Sequence, residues 1–180
     1  MIRKATPADL PALRRVYTAA KAYMDAHGNP TQWTDGYPAD DLLAADIAGG
    51  WLYALADETG TPRGAFALVY GVEPFYAQID GPGWLSDAPY ATLHRIASDG
   101  TRPGVFAEVL AFARAKYAHL RVDTHRDNLT MQHLILKNGF TYCGIVDYGP
   151  AGLRLAYEWE ANRLWRKLSA ACAGRTPISG

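Results

Sequence analysis

The chain has 180 residues, which suits one domain with a sizeable core, since domains most often run to about 100–150 residues. Lys plus Arg and Asp plus Glu number 18 each, so the net charge is zero and the basic excess typical of nucleic-acid binding is missing. No apolar run approaches the roughly 18–20 residues of a membrane span, and Met1-Ile2-Arg3-Lys4-Ala5 lacks the apolar core of a secretory leader. A cytoplasmic protein with neither nucleic-acid nor membrane partner is expected. Its two cysteines, Cys143 among strand-like apolar residues and Cys172 in the C-terminal tail, then read as reduced thiols that serve as packing.

In chain order, Ile2 to Ala5 predicts a short strand. Thr6-Pro7-Ala8-Asp9 carries a helix start: a hydroxyl cap, proline at the first position and an acid at the third. Leu10, Leu13, Tyr17, Ala20 and Met24 recur at steps of three and four, so one face of that helix is apolar until His27-Gly28-Asn29-Pro30 stops it. A loop from Thr31 to Tyr37 leads to a shorter helix over Pro38–Ala48. Two apolar runs, Trp51–Ala56 and Gly64–Val72, flank a turn-rich segment and predict an antiparallel hairpin. Glu73 to Pro89 is rich in proline, glycine and aromatics. It reads as an ordered loop packed on the domain.

Tyr90–Ser98 is expected as a strand and Pro103–Tyr117 as a helix, with Phe106, Val109, Leu110, Ala113 and Tyr117 as its buried stripe. Leu120–His125 follows as a strand, and a helix over Asn128–Asn138 is closed by Gly139. Phe140–Asp147 and Leu153–Glu160 form a closing hairpin. A tail helix carrying Leu164, Trp165, Leu168 and Cys172 packs on its own domain or on a second copy. The order β-α-α-β-β-β-α-β-α-β-β defines a mixed α/β domain over residues 1–160, followed by a helical tail over 161–180.

Two junctions could carry chemistry. The glycine-bearing loop from Ile96 through Ser98, Gly100, Arg102 and Gly104 into a helix offers unpaired amides and a positive dipole end, a seat for phosphate, although an ordinary β–α turn has the same signature. At Asp123-Thr124-His125, strand alternation places Arg121, Asp123 and His125 on one face. An acid and an imidazole there suit proton transfer. Equally, the face is a solvated edge with Asp123 paired to Arg121 or Arg95.

Element order, the strand–loop–helix centred on Gly104, and Asp127-Asn128 followed by Lys137-Asn138-Gly139-Phe140 together resemble the GNAT superfamily of acyl-CoA-dependent N-acyltransferases. The resemblance covers roughly Ile2 to Glu160. It implies a central, mostly antiparallel mixed sheet of about seven strands flanked by four helices, with the strand Tyr90–Ser98 splayed from Leu120–His125 to admit an acyl thioester. It further implies that Ile96, Ala97 and Ser98 hold the pantetheine arm and acyl carbonyl, that amides across Thr101, Arg102, Gly104, Val105 and Phe106 take the pyrophosphate, and that Asn128 touches the arm from the other side.

Two departures stand out. Of the family's glycine-loop pattern only Gly104 is kept: Phe106 replaces a small residue, and Pro103 removes one N–H donor. Ile135 stands where many relatives carry the tyrosine that protonates the departing thiolate; His133 lies about 200° around the helix from it, and Tyr142 and Tyr148 are substitutes.

As general base the resemblance implies Asp123, which ranks first; His125 and then His94 follow as further candidates. The acceptor side is read in Trp33, Tyr37, Tyr70, Glu73, Tyr76 and Trp84, aromatics and an acid that suit a cationic amine; the same residues could cover the core or a dimer contact. The expected activity is N-acetylation of a small-molecule or peptide amine by acetyl-CoA or another acyl-CoA without a metal, by direct attack in a ternary complex. The alternative is a GNAT-fold module that binds CoA or a small ligand with little turnover. A homodimer is expected.

Overall fold

The computed structural model describes residues 1–34 and 36–161. Seven strands form one sheet: β1 (Ile2–Lys4), β2 (Leu52–Ala56), β3 (Pro62–Tyr70), β4 (Ala91–Ser98), β5 (His119–Thr124), β6 (Thr141–Asp147) and β7 (Leu153–Glu160), in the order β1-β2-β3-β4-β5-β7-β6. Only β4 and β5 run parallel. Four helices flank the sheet: α1 (Leu10–Ala26), α2 (Asp40–Ala48), α3 (Val105–Lys116) and α4 (Leu129–Lys137). The expected sheet and helices are all present. The predicted tail helix falls within residues 162–180, outside the described residues.

Side-chain alternation divides the sheet into two unlike faces. Ala54, Ala65, Ala67 and Ala97 turn toward α1 and α2, where they meet Leu13, Val16, Tyr17 and Leu43. Small residues let the helix approach the strands closely. Leu55, Phe66, Leu68 and Leu93 point the other way, onto Val109, Leu110 and Ala113 of α3 and Ile135 of α4. Strands buried on both faces lose the apolar–polar alternation of a half-exposed sheet, which is why β2 and β3 read as continuous apolar runs.

The entry to α1 is fixed by charge as well as by capping. Asp9 accepts the amide and hydroxyl of Thr6 at 2.8 and 2.9 Å, and a two-pronged pair of bonds from Arg3 at 2.7 Å each. The Arg3 guanidinium, helped by Thr6 and opposed by burial, lowers the Asp9 pKa to about 2.

The segment between β3 and β4 is ordered, as its aromatics suggested. Asp80 and Ile145 exchange backbone bonds of 2.9 and 2.7 Å. Arg121 lies 3.9 Å from each of the Trp84 and Tyr90 ring centres and donates to fully buried Glu158 at 3.1 Å. Glu158 also accepts from His119 and the Leu85 amide. Burial opposes its charge, but those donors and Arg121 together hold its pKa below the ordinary value. This buried network fastens the loop to β5 and β7.

Candidate active site

The site starts from an irregularity in β4. Ala65 pairs with Ala97 and Ala67 with His94, so two steps along β3 face three along β4. The extra residue is a bulge at Arg95, the one non-glycine residue with positive φ (52°) among the described residues. Such a conformation costs about 1–2 kcal/mol for a residue with a Cβ, so something must hold it. Arg95 pairs with Asp46 of α2 at 2.6 Å, both side chains nearly buried, and its carbonyl accepts the Tyr17 hydroxyl at 3.2 Å. Burial keeps that hydroxyl protonated, with its pKa well above normal.

Just before the bulge β4 leaves its parallel neighbour. Pairing with β5 covers Ala91–Leu93 against Leu120–Val122 and stops there. The remaining strand ends diverge, as the resemblance implied, and two cavities open along the gap. They share Met24, Trp33, Ile96, Asn128 and Met131 in their walls, so they adjoin.

The larger cavity, about 580 Å³, is mainly apolar and runs between α1, β4 and the starts of α3 and α4. Gly104 caps α3 with φ 79°, a left-handed conformation that glycine adopts freely. The first helical bond runs from Glu108 to Gly104, so the amides of Val105, Phe106 and Ala107, all residues of the cavity wall, have no helical partners. Pro103 precedes the cap and removes none of these donors. Phe106 turns its ring into the core rather than across the loop. Arg102 lines the cavity and pairs with Glu108; Lys137 lines it further along. Asn128 caps α4 by accepting the Met131 amide at 3.0 Å and donates to Gln32 at 2.9 Å.

The smaller cavity, about 380 Å³, has walls of mixed polarity. His94 Nε2 lies 3.1 Å from Glu73 Oε2 on its wall. Burial works against the Glu73 charge, but the hydrogen bond and charge of His94, the Phe75 amide and Arg95 outweigh it and lower its pKa. Opposite strands contribute Asp123, whose Oδ2 accepts the hydroxyls of Tyr76 and Tyr148 at 2.7 and 2.8 Å. Burial and the Asp123 charge raise the pKa of both phenols, so both remain donors.

Of the residues singled out in the sequence, Ile96, Ala97, Ser98, Arg102, Gly104, Val105, Phe106 and Asn128 line the larger cavity. Thr101 does not: its amide and hydroxyl are bound to Asp99 in an exposed turn. Trp33, Tyr37, Glu73, His94 and Asp123 line the smaller one. Tyr76 is buried behind it as a support for Asp123, and Trp84 packs on Tyr76 and Arg121. Tyr70 lies elsewhere, 58% exposed and stacked on Tyr117. His125 falls just past β5, outside both walls, with Nδ1 accepting the Asp127 amide at 3.2 Å; burial and Arg154 lower its pKa against the pull of Asp127.

Asp123 pairs with neither Arg121 nor Arg95, which have Glu158 and Asp46 instead. Ile135 is fully buried in the core, and Tyr142 packs on Tyr157 away from both cavities. Gln32 and Arg154, which the sequence reading passed over, line the smaller cavity. No local pattern marks either, because each arrives through long-range packing.

The chain is 32% identical to a GNAT-family acetyltransferase from Streptococcus agalactiae, with a TM-score of 0.78, over 89% of this chain and 94% of that one. A GNAT-family acetyltransferase from Listeria monocytogenes (20% identity, TM-score 0.64, 89% and 94% covered) and a ribosomal-protein-alanine N-acetyltransferase from Brucella melitensis (23%, 0.53, 89% and 99%) share the fold. No family sequence model and no functionally curated protein matches the chain. The splayed sheet and paired cavities thus define an acetyltransferase-type fold. This chain belongs to the GNAT family.

Proposed function

We propose that the protein transfers an acetyl group from acetyl-CoA to a primary amine by direct attack in a ternary complex. The observation that carries this reading is that an apolar cavity, reached by helix-start amides, shares a wall with a second cavity of mixed polarity that holds a Glu–His pair. The amides of Val105, Phe106 and Ala107 suit a pyrophosphate, because a helix N-terminus combines unpaired N–H groups with a positive dipole end. Apolar walls from Ile96, Met131 and Leu134 suit the pantetheine arm. The thioester then falls near Ile96 and Asn128, where the cavities join.

His94 is the base in this reading, displacing Asp123 from first rank. With Nε2–H donated to Glu73, its Nδ1 keeps the lone pair, and the carboxylate fixes the orientation of the ring. Asp123 already accepts two hydroxyls and serves to orient the acceptor. An ammonium acceptor gives one proton to His94, and its nitrogen attacks the carbonyl carbon. The N–C bond forms, the C–S bond breaks and sulfur leaves with the bonding pair. A second proton is lost as the amide forms; one of the two reaches the thiolate and the other the solvent. A thiol pKa of about 8.5 lets the thiolate take a proton near neutral pH, so Ile135 in place of a tyrosine does not block turnover.

Melting temperature with and without millimolar acetyl-CoA, followed by thiol release across a panel of amines, tests the proposal. Binding to the folded state raises the melting point by linkage. No shift at saturation contradicts the reading, and a shift without thiol release on any amine favours a binding module instead.

A further inference from the structure

Resting on the acetyl-transfer reading, we infer that Arg154 selects the acceptor: the substrate is a small amine that also carries a carboxylate, a free amino acid. Two arginines are buried among the described residues, Arg121 (5% exposed) and Arg154 (8%). Arg121 has Glu158 as its counter-charge. Among the described residues Arg154 has none at ion-pair distance. Its contacts are the Leu153 carbonyl at 3.0 Å, the Gln32 carbonyl at 3.4 Å and the Tyr148 ring, with its guanidinium 5.9 Å from the ring centre.

A buried cation without an anion costs several kcal/mol unless something offsets it. Backbone carbonyls orient the group without neutralising it. The remaining N–H donors belong to a planar fork whose geometry matches a carboxylate. Arg154 lines the smaller cavity, so that carboxylate can come from a ligand.

Register places the charge relative to the chemistry. Asp123 pairs with Ala156, and Arg154 stands two residues from Ala156 on β7, so Arg154 and Asp123 share one face of the sheet. The cavity therefore carries a cation at Arg154 and anions at Asp123 and Glu73, the complement of a molecule with both a carboxylate and an ammonium. About 380 Å³ accommodates an amino acid, and the space is at the small end for ligand pockets of about 300–1,000 Å³. Gln32 ties this end to the thioester end: its side-chain oxygen accepts from Asn128 and Asn29 at 2.9 and 2.8 Å while its backbone carbonyl accepts from Arg154.

Acetyl transfer to each protein amino acid is compared with transfer to its carboxamide, and binding of the same compounds to the CoA-loaded protein is measured by calorimetry. A charge-assisted bidentate contact predicts roughly 10- to 100-fold preference for the best acid over its amide in both readouts. Arg154→Met should remove that discrimination, and Arg154→Lys should keep part of it if the methionine variant folds poorly. Turnover on amines with equal preference for acid and amide, or calorimetry showing no tighter binding of any acid, overturns the assignment. Acid-selective binding without turnover on any amine leaves Arg154 as the carboxylate reader and defeats the acetyl-transfer reading alone.

Discussion

Replacing Asp46 with alanine should damage the protein far more than its place on a nine-residue helix suggests. Asp46 neutralises Arg95, and the two side chains are only 5% and 13% exposed. Removing one partner of such a pair strands the other charge and costs about 3–5 kcal/mol. For a chain of this size each kcal/mol moves the melting temperature by about 2–4 °C, so the variant should melt roughly 6–20 °C lower. Its affinity for acetyl-CoA should fall too, because Arg95 then has less to hold its φ of 52° and the bulge beside Ile96 relaxes. The double variant Asp46→Ala/Arg95→Gly carries no stranded charge, and glycine adopts positive φ freely. Thermal unfolding by circular dichroism should show it recovering most of the loss. An Asp46→Ala melting temperature within ~2 °C of wild type, or a double variant no more stable than the single one, would mean that the Arg95–Asp46 pair does not sustain the bulge.

His94→Ala should lower kcat by roughly 10²–10⁴-fold in a thiol-release assay while acetyl-CoA still raises the melting temperature, as expected for loss of a general base. The Asp9 pKa of about 2 lies below its ordinary 3.8, so Asp9 stabilises the fold above the upper value by about 2 kcal/mol and loses that contribution as pH falls toward the lower one. Arg3→Ala should therefore cost that amount in urea unfolding at pH 7, with the gap to wild type narrowing as the pH falls below 3.8. Gly144→Ala should destabilise strongly, because φ is 143° and a Cβ would run into the Asp80 carbonyl and Ile79 side chain; native-state hydrogen exchange should show faster opening at the Asp80–Ile145 bridge.

Much of the fold was legible because local rules and the fold agree. The Thr6–Asp9 start, the α1 stripe through Leu13 and Tyr17, and the Asn128-to-Phe140 helix with its glycine stop are all short-range signals, and each stands where expected. The larger cavity was legible for the same reason, since one strand and two helix starts build most of it. The smaller cavity was less so. Strand alternation puts Asp123 on a face but leaves its partners open, and those partners, Tyr76 and Tyr148, come from segments 47 and 25 residues away. The β5-β7-β6 order, which inserts the last strand beside β5, brings Arg154 to Asp123's face. Tyr70 shows the converse: aromatic character alone does not reveal which end of a strand borders the gap. The bulge at Arg95 left no mark, because a remote acid rather than a glycine sustains it.

Acetyl transfer from acetyl-CoA to an amine fixes the stoichiometry of the two products. Purified protein is mixed with acetyl-CoA and the best amine acceptor, and free thiol and N-acetyl product are quantified from the same samples. Thiol and amide should form in equal amounts, with both rates falling together in His94→Ala. Thiol released without matching amide, or amide formation that His94→Ala leaves untouched, would contradict acetyl transfer with His94 as the base.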